Sequence, residues 1–242
     1  MIIAATAAFL TKSGNRPMTT TPTDRDRQIL DHVYRYRLTT REFLQREFFP
    51  DAGDSAVSKV VGRLVGAGWL REYRLGNGVT YCVLGRQGRE AVGAPAKRGR
   101  PFTEQSFPAA YGFLAFCVGQ SVRRLTSAEF GTAFPELCRE RMKTGGYYVD
   151  ARQPAGRLGT VLLDRGNHPK QVLHKLDRLL VQHYRSPGFV ALIQAGRFCV
   201  TIITAWPVKQ RLLETAVKLA VHGPARVEVT TVPELQAFYR RI

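Results

Sequence analysis

Apolar and polar positions alternate with a helical period over the first third of the chain. Thr23 precedes an acid-rich turn, Asp24-Arg25-Asp26, and Ile29, Leu30, Val33 and Tyr34 follow at spacings of three and four. That pattern predicts a capped amphipathic helix reaching about residue 37. Thr39 with Glu42 three residues on reads as a capping box for a second helix, in which Phe43, Leu44 and Phe48 are the apolar positions and Pro50 marks the end. Asp54 or Ser55 is the expected cap of a third, with Ala56, Val57, Val60, Val61, Leu64 and Ala67 as its inward stripe and Gly68 as its stop. The pattern then becomes strand-like over 69–75 and 79–84, around Gly76-Asn77-Gly78, whose Asn-Gly favours a tight hairpin turn. Three helices followed by a hairpin predict a winged helix-turn-helix over 23–93.

Beyond residue 102 the pattern mixes both periods. Helices are expected over 109–118, 126–134, 169–184, 207–221 and 233–240, and strands over 147–150, 158–164, 189–193, 198–204 and 226–232; the segments 189–193 and 198–204 read as a hairpin. A sheet flanked by helices on its faces accounts for this many apolar strands. The expected fold class is α+β. A tail over 1–22 leads into the winged helix-turn-helix, a basic linker over 94–108 follows, and a small α/β domain with a mixed sheet occupies 109–242.

Charge narrows the function. With 36 Lys+Arg against 19 Asp+Glu the chain carries a formal +17, and at 44% hydrophobic residues it can still bury a core, so a folded protein directed at a polyanion is expected. Its apolar runs are far shorter than the roughly 18 residues of a membrane span, and the apolar opening lacks a basic segment before it, so neither membrane insertion nor secretion is expected. Four scattered cysteines without a CxxC pair argue against a zinc knuckle or a disulfide framework and suit a reducing cytoplasm. His168 and His174 are not at the i, i+4 spacing of a helical metal pair, and no Walker, GxGxxG or GxSxG motif occurs, so no cofactor or metal is expected.

The candidate chemistry lies on the third helix. Its polar face, Ser55, Ser58, Lys59, Gly62 and Arg63, offers small and basic groups at helical spacing, as a helix entering the major groove needs. Arg71 and Arg74 on the hairpin, and Arg41 and Gln45 near the second helix, are candidate backbone contacts. Arg98 and Arg100 fall in Arg-Gly-Arg-Pro, which looks like the core of an AT-hook, where glycine permits close approach to a narrow minor groove. The segments Leu64-Val65-Gly66-Ala67-Gly68-Trp69-Leu70-Arg71 and Tyr81-Cys82-Val83-Leu84-Gly85-Arg86-Gln87-Gly88 resemble those of winged-helix regulators, with Gly85 where such proteins usually carry threonine.

In the second half, Tyr147-Tyr148-Val149-Asp150, Val161-Leu162-Leu163-Asp164-Arg165-Gly166 and Lys175-Leu176 resemble motifs of the replication-relaxation family of plasmid and mobile-element proteins. That resemblance implies a nuclease-like domain of the PD-(D/E)xK type behind a winged helix, with Asp150, Asp164 and Lys175 as its catalytic candidates. Leu162 stands where the family pattern has a glutamate, and an apolar side chain cannot ligate a hard cation. The expected function is sequence-specific binding of double-stranded DNA by a homodimeric transcriptional regulator, a repressor of a mobile element or defence locus. The alternatives are a metal-dependent nuclease that processes such DNA and an antitoxin-like adaptor.

Overall fold

A computed structural model describes residues 21–140, 142, 144–152, 156–220 and 223–239. Most of the tail expected over 1–22 lies outside these residues. The protein is α+β, with ten α-helices, seven strands and two 3-10 turns among the described residues.

The first helix, α1 (Asp24–Tyr36), starts as its sequence implies: Thr23 and Asp26 form a reciprocal capping box. In α2 (Arg41–Phe48) the cap is Thr40 rather than Thr39, because Thr39 is drawn into a backbone bridge with Cys82. For α3 (Asp54–Gly66) the cap position is Gly53, so neither Asp54 nor Ser55 serves as the cap and the first turn has no side-chain cap. Val57, Val61 and Leu64 of α3 meet Ile29, Leu30, Val33 and Leu44 in one buried cluster, closed by β1 (Leu70–Arg74) and β2 (Thr80–Leu84), an antiparallel pair. The short α4 (Arg86–Ala91) follows, begun by Gly85. A Cβ at Gly85 would stand 2.2 Å from the Gly68 carbonyl oxygen, so threonine cannot replace this glycine without moving the backbone.

The second half is a five-stranded mixed sheet in the order β3 (Arg123–Arg124), β4 (Tyr147–Asp150), β5 (Arg157–Leu163), β6 (Phe198–Thr204), β7 (Arg226–Thr231). The first two pairings are antiparallel and the last two parallel. Every residue of β6 is buried, as a central strand covered on both faces requires. One face packs on α5 (Phe107–Gly119) and the 3-10 turn Pro233–Phe238; the other packs on α8 (Pro169–Tyr184), α9 (Pro187–Gln194) and α10 (Pro207–Leu219). Two short helices, α6 (Ser127–Ala133) and α7 (Pro135–Arg139), lie between β3 and β4. Adjacent Tyr147 and Tyr148 divide between the faces: Tyr147 meets His183 of α8, and Tyr148 reaches Thr201 at 2.6 Å. Gly159 allows the second contact, since a Cβ there would lie 2.1 Å from the Tyr148 ring.

Two further expectations fail. Residues 187–194 form helix α9, not the first strand of a hairpin. Ser186 caps it, Pro187 suits its first turn, and Glu140 accepts the Gly188 N–H at 3.0 Å. The stretch 94–108 is packed rather than free. It contains the 3-10 turn Ala96–Gly99, Phe102 donates its N–H to the Tyr81 hydroxyl at 2.8 Å, and Phe107 joins Tyr81, Phe102, Tyr111 and Phe238 in an aromatic cluster. A single buried cluster therefore runs from Tyr36, Leu38, Phe43 and Val83 of the first half into α5 and the sheet. Polar contacts add to it: Arg35 donates to the Arg124 carbonyl at 2.7 Å and grips Glu129 with both terminal nitrogens. The Arg35 hydrogen bonds hold the Glu129 carboxyl down at about 2.

Buried histidines give the fold an acid-sensitive window. Burial and then the charge of Arg35 lower His32 to about 4, and burial also lowers His183. In the unfolded chain both titrate near 6.5, so below that pH the unfolded state takes up protons that the folded state refuses. Stability is full above pH 6.5 and falls as pH drops from 6.5 toward 4. The lowered carboxyls of Asp26, Glu129 and Asp150 extend the loss below that range. Urea midpoints at pH 7 and pH 5 check this: the parent should lose stability between them, and His32→Gln should lose less, whatever its starting value.

Candidate nucleic-acid interface

The outward side of α3 is open. Ser55, Lys59, Gly62, Arg63 and Gly66 are exposed and Ser58 is half-buried, while a Cβ at Gly62 or Gly66 would meet nothing within 4 Å. No large apolar group stands on this side. Because Gly53 supplies no side-chain cap, the first N–H groups of α3 receive no hydrogen bond from a cap side chain, and the positive end of its dipole favours an anion there. A groove of about 700 Å³ runs beside it, lined by Arg41, Glu42, Gln45 and Arg46 of α2 and by Asp54, Val57 and Ser58 of α3.

The candidate cations separate into two sets. Arg63 donates to Asp26 at 2.6 Å, and Asp26 is buried. Burial raises the Asp26 carboxyl, but hydrogen bonds from Arg63 and Thr23 outweigh that and leave it lowered. Arg63 thus clamps the start of α1 to the end of α3. Gln45 donates to the Phe49 carbonyl at 2.6 Å and to the Ala52 carbonyl, bracing the turn between α2 and α3. Arg41 pairs with Glu72 at 3.1 Å and ties α2 to the hairpin. These three side chains have structural partners that sequence spacing could not reveal.

Lys59, Arg71 and Arg74 form no ion pair with a carboxylate among the described residues. Alternation along β1 sends them different ways. Arg74 shares its face with Glu72, toward α2, and its guanidinium lies near the Gly78 turn; Arg71 is on the other face, stacked on Tyr73 at 5.1 Å. Arg98 is not on an extended hook: it sits in the 3-10 turn Ala96–Gly99 with its guanidinium 5.6 Å from the Tyr34 ring. Gly99 is pressed against Leu84, where a Cβ would come 2.8 Å from the carbonyl oxygen. Arg100 is exposed.

Asp150, Asp164 and Lys175 do not converge. Asp150 ends β4 opposite Arg157, at the start of β5, whereas Asp164 follows the end of β5. Seven residues at about 3.3 Å each place the two carboxylates roughly 20 Å apart, too far to share a cation. Each also has its own partners. Arg152 and Arg157 donate to Asp150, the Arg152 hydrogen bonds lowering its carboxyl. Asp164, fully buried, accepts from Thr204 at 3.0 Å, from the Gly166 and Asn167 N–H groups, and from Lys209 at 2.8 Å. Lys175 is exposed on α8. The lysine that meets Asp164 is therefore Lys209 on α10, which no motif indicated. No group of three or more His, Cys, Asp or Glu able to hold a metal ion is found among the described residues.

The described residues thus define an α+β protein in which a helical unit with a hairpin is fused to a mixed sheet, and no helix among them is long and apolar enough to cross a membrane. The chain matches no protein-family model, and comparison with curated proteins and with solved structures finds no significant match.

Proposed function

We propose that this protein binds double-stranded DNA, that residues 23–93 act as a winged helix-turn-helix, and that α3 is the element laid in the major groove. The observation that carries this reading is the outward side of α3: small residues at 55, 58, 62 and 66, one unengaged lysine at 59, and no bulky apolar group. Small residues let a helix approach base edges closely, and Lys59 is of the type that donates to guanine. Ser55 and the uncapped first turn suit a phosphate, and Arg74 at the hairpin turn suits the neighbouring backbone. On this reading the protein is a transcriptional regulator, a repressor of a mobile element or defence locus, working as a homodimer in the cytoplasm. Support for pairing comes from exposed apolar side chains concentrated on two contacting helices: Val181 and Tyr184 of α8, and Val208, Leu212 and Leu219 of α10. Binding rather than cleavage is proposed because Asp150 and Asp164 stand at opposite ends of β5.

Fluorescence anisotropy on duplexes from the region upstream of the protein's own gene, against a scrambled duplex and with and without Mg²⁺, tests this. Lys59→Ala should cost about 1–3 kcal/mol on the specific duplex, and Arg74→Ala should weaken both duplexes equally while lowering the salt slope by about one. Arg63 is left intact, since removing it would unfasten Asp26. Equal affinities of the parent and a Lys59→Ala/Arg74→Ala protein for both duplexes would overturn the assignment.

A further inference from the structure

Where the C-terminal end of α1 meets α5 and the β3–β5 edge of the sheet, the surface folds into a cleft with a cationic end and an apolar end. Arg37, Lys97, Arg98 and Arg124 line the cationic end, together with the Ser127 and Thr144 side chains. Continuous with it through Arg37 and Arg124 is a recess of about 630 Å³, a size typical of small-molecule sites, walled by Ala109, Ala110, Phe113 and Leu162, with Arg165 and Lys175 among its lining. No Asp or Glu lines either part. All 19 carboxylate side chains of the chain lie within the described residues, and the nearby Glu129 is taken by Arg35 and Arg123.

Such a gathering of cations is costly without a counter-charge, yet these arginines are held in place. Each rests on an aromatic ring: Arg37 on Phe102 at 5.0 Å, Arg98 on Tyr34 at 5.6 Å and Arg124 on Phe113 at 4.7 Å. Stacking fixes a guanidinium by its face and leaves its N–H edge available. Arg124, 9% exposed, donates one N–H to the Tyr36 carbonyl at 3.2 Å, and a buried terminal nitrogen of Arg98 has no partner. Burial lowers all three arginines, and the charge of Arg98 adds to the lowering of the other two. Arg37 also adopts φ 76° at the end of α1, a position that glycine or asparagine fills more readily. Non-glycine residues held in that region concentrate at functional sites.

We propose that this cleft binds a small phosphorylated molecule carrying an apolar or aromatic portion, of the size of a nucleotide, with the phosphate between Arg37, Arg98 and Arg124 and the remainder against Phe113 and Leu162. The concave recess and its apolar wall favour a small molecule over the convex backbone of a duplex. The site is separate from the α3 surface, so its test needs no DNA.

Thermal unfolding of the full chain is followed with adenosine and guanosine mono- and triphosphates, with pyrophosphate, with the nucleosides, and with sodium chloride at matched ionic strength. At a hundred-fold excess over Kd, a bound nucleotide should raise Tm by roughly 5–10 °C. Pyrophosphate should raise it less and the nucleosides not at all. Arg37→Asn/Arg98→Gln, which keeps a residue tolerant of positive φ at 37, should lose the shift while its unliganded Tm equals or exceeds the parent's, because two unpaired cations have gone. An intact shift in that variant, or none beyond matched salt in the parent, would overturn the proposal. So would a variant that loses duplex affinity while nucleotides leave the parent unchanged, since the cleft would then serve a DNA phosphate.

Discussion

Phe107→Ala is expected to remove about 3–5 kcal/mol of stability, a large share of the total for a domain of this size. Phe107 is fully buried at the start of α5, and its ring meets Tyr81 at 4.9 Å, Phe238 at 5.1 Å and Tyr111 at 5.7 Å. Tyr81 belongs to the hairpin and Phe238 to the last 3-10 turn, so this one ring joins the first half of the chain to the second. The two tryptophans make the coupling measurable, because Trp69 lies beside the hairpin and Trp206 packs on Tyr239 at the far end of the sheet. Single-tryptophan proteins should report one coincident unfolding transition in the parent background. Phe107→Ala should lower the midpoint and separate the two signals. Separate transitions in the parent would show that the halves fold independently.

A comparable loss is expected from Asp164→Ala. It strands the Lys209 ammonium, whose side chain is only 15% exposed, and leaves Thr204 and two backbone N–H groups without their acceptor. Breaking a buried pair in this one-sided way costs about 3–5 kcal/mol. Asp164→Asn keeps an acceptor and should cost less, and Asp164→Asn with Lys209→Met should recover much of the difference, because the unpaired charge is gone. A denaturant-based double-mutant cycle measures the coupling. Independent, additive effects would refute the pair. The same proteins bear on the nuclease alternative: loss of metal-dependent DNA cleavage in Asp164→Asn, at unchanged stability, would restore a catalytic role to this carboxylate.

Most local signals along the chain matched local structure. Thr23 before its acid-rich turn, the inward stripe of α3, the Asn-Gly hairpin and the strand at 147–150 each depend on residues a few positions apart, although the caps expected at Thr39 and at Asp54 or Ser55 fall instead at Thr40 and Gly53. Signals that depended on distant partners were misjudged. The apolar run at 189–193 is too short to separate strand from helix, and the second half of its cap is Glu140, some 50 positions upstream. The Pro/Gly/basic composition of 94–108 resembles a linker. Tyr81 and the aromatic cluster around Phe107 hold it down. One cue for the cleft was present in the sequence: the doubled arginine Arg123-Arg124 between the apolar residues Val122 and Leu125, which in a strand must send one guanidinium inward.

By itself the sequence determined the mixed α+β character, the excess of positive charge, the open side of α3 and most of the helices and strands, because propensity, capping and period act within a few residues. Which arginines are neutralised and which remain available was decided only in three dimensions. Arg63 finds Asp26 across 37 positions and Arg35 finds Glu129 across 94, whereas Arg37, Arg98 and Arg124 meet one another on aromatic rings with no carboxylate between them. Charge is a property of composition; its cancellation depends on distance, and distance exists only once the chain has folded.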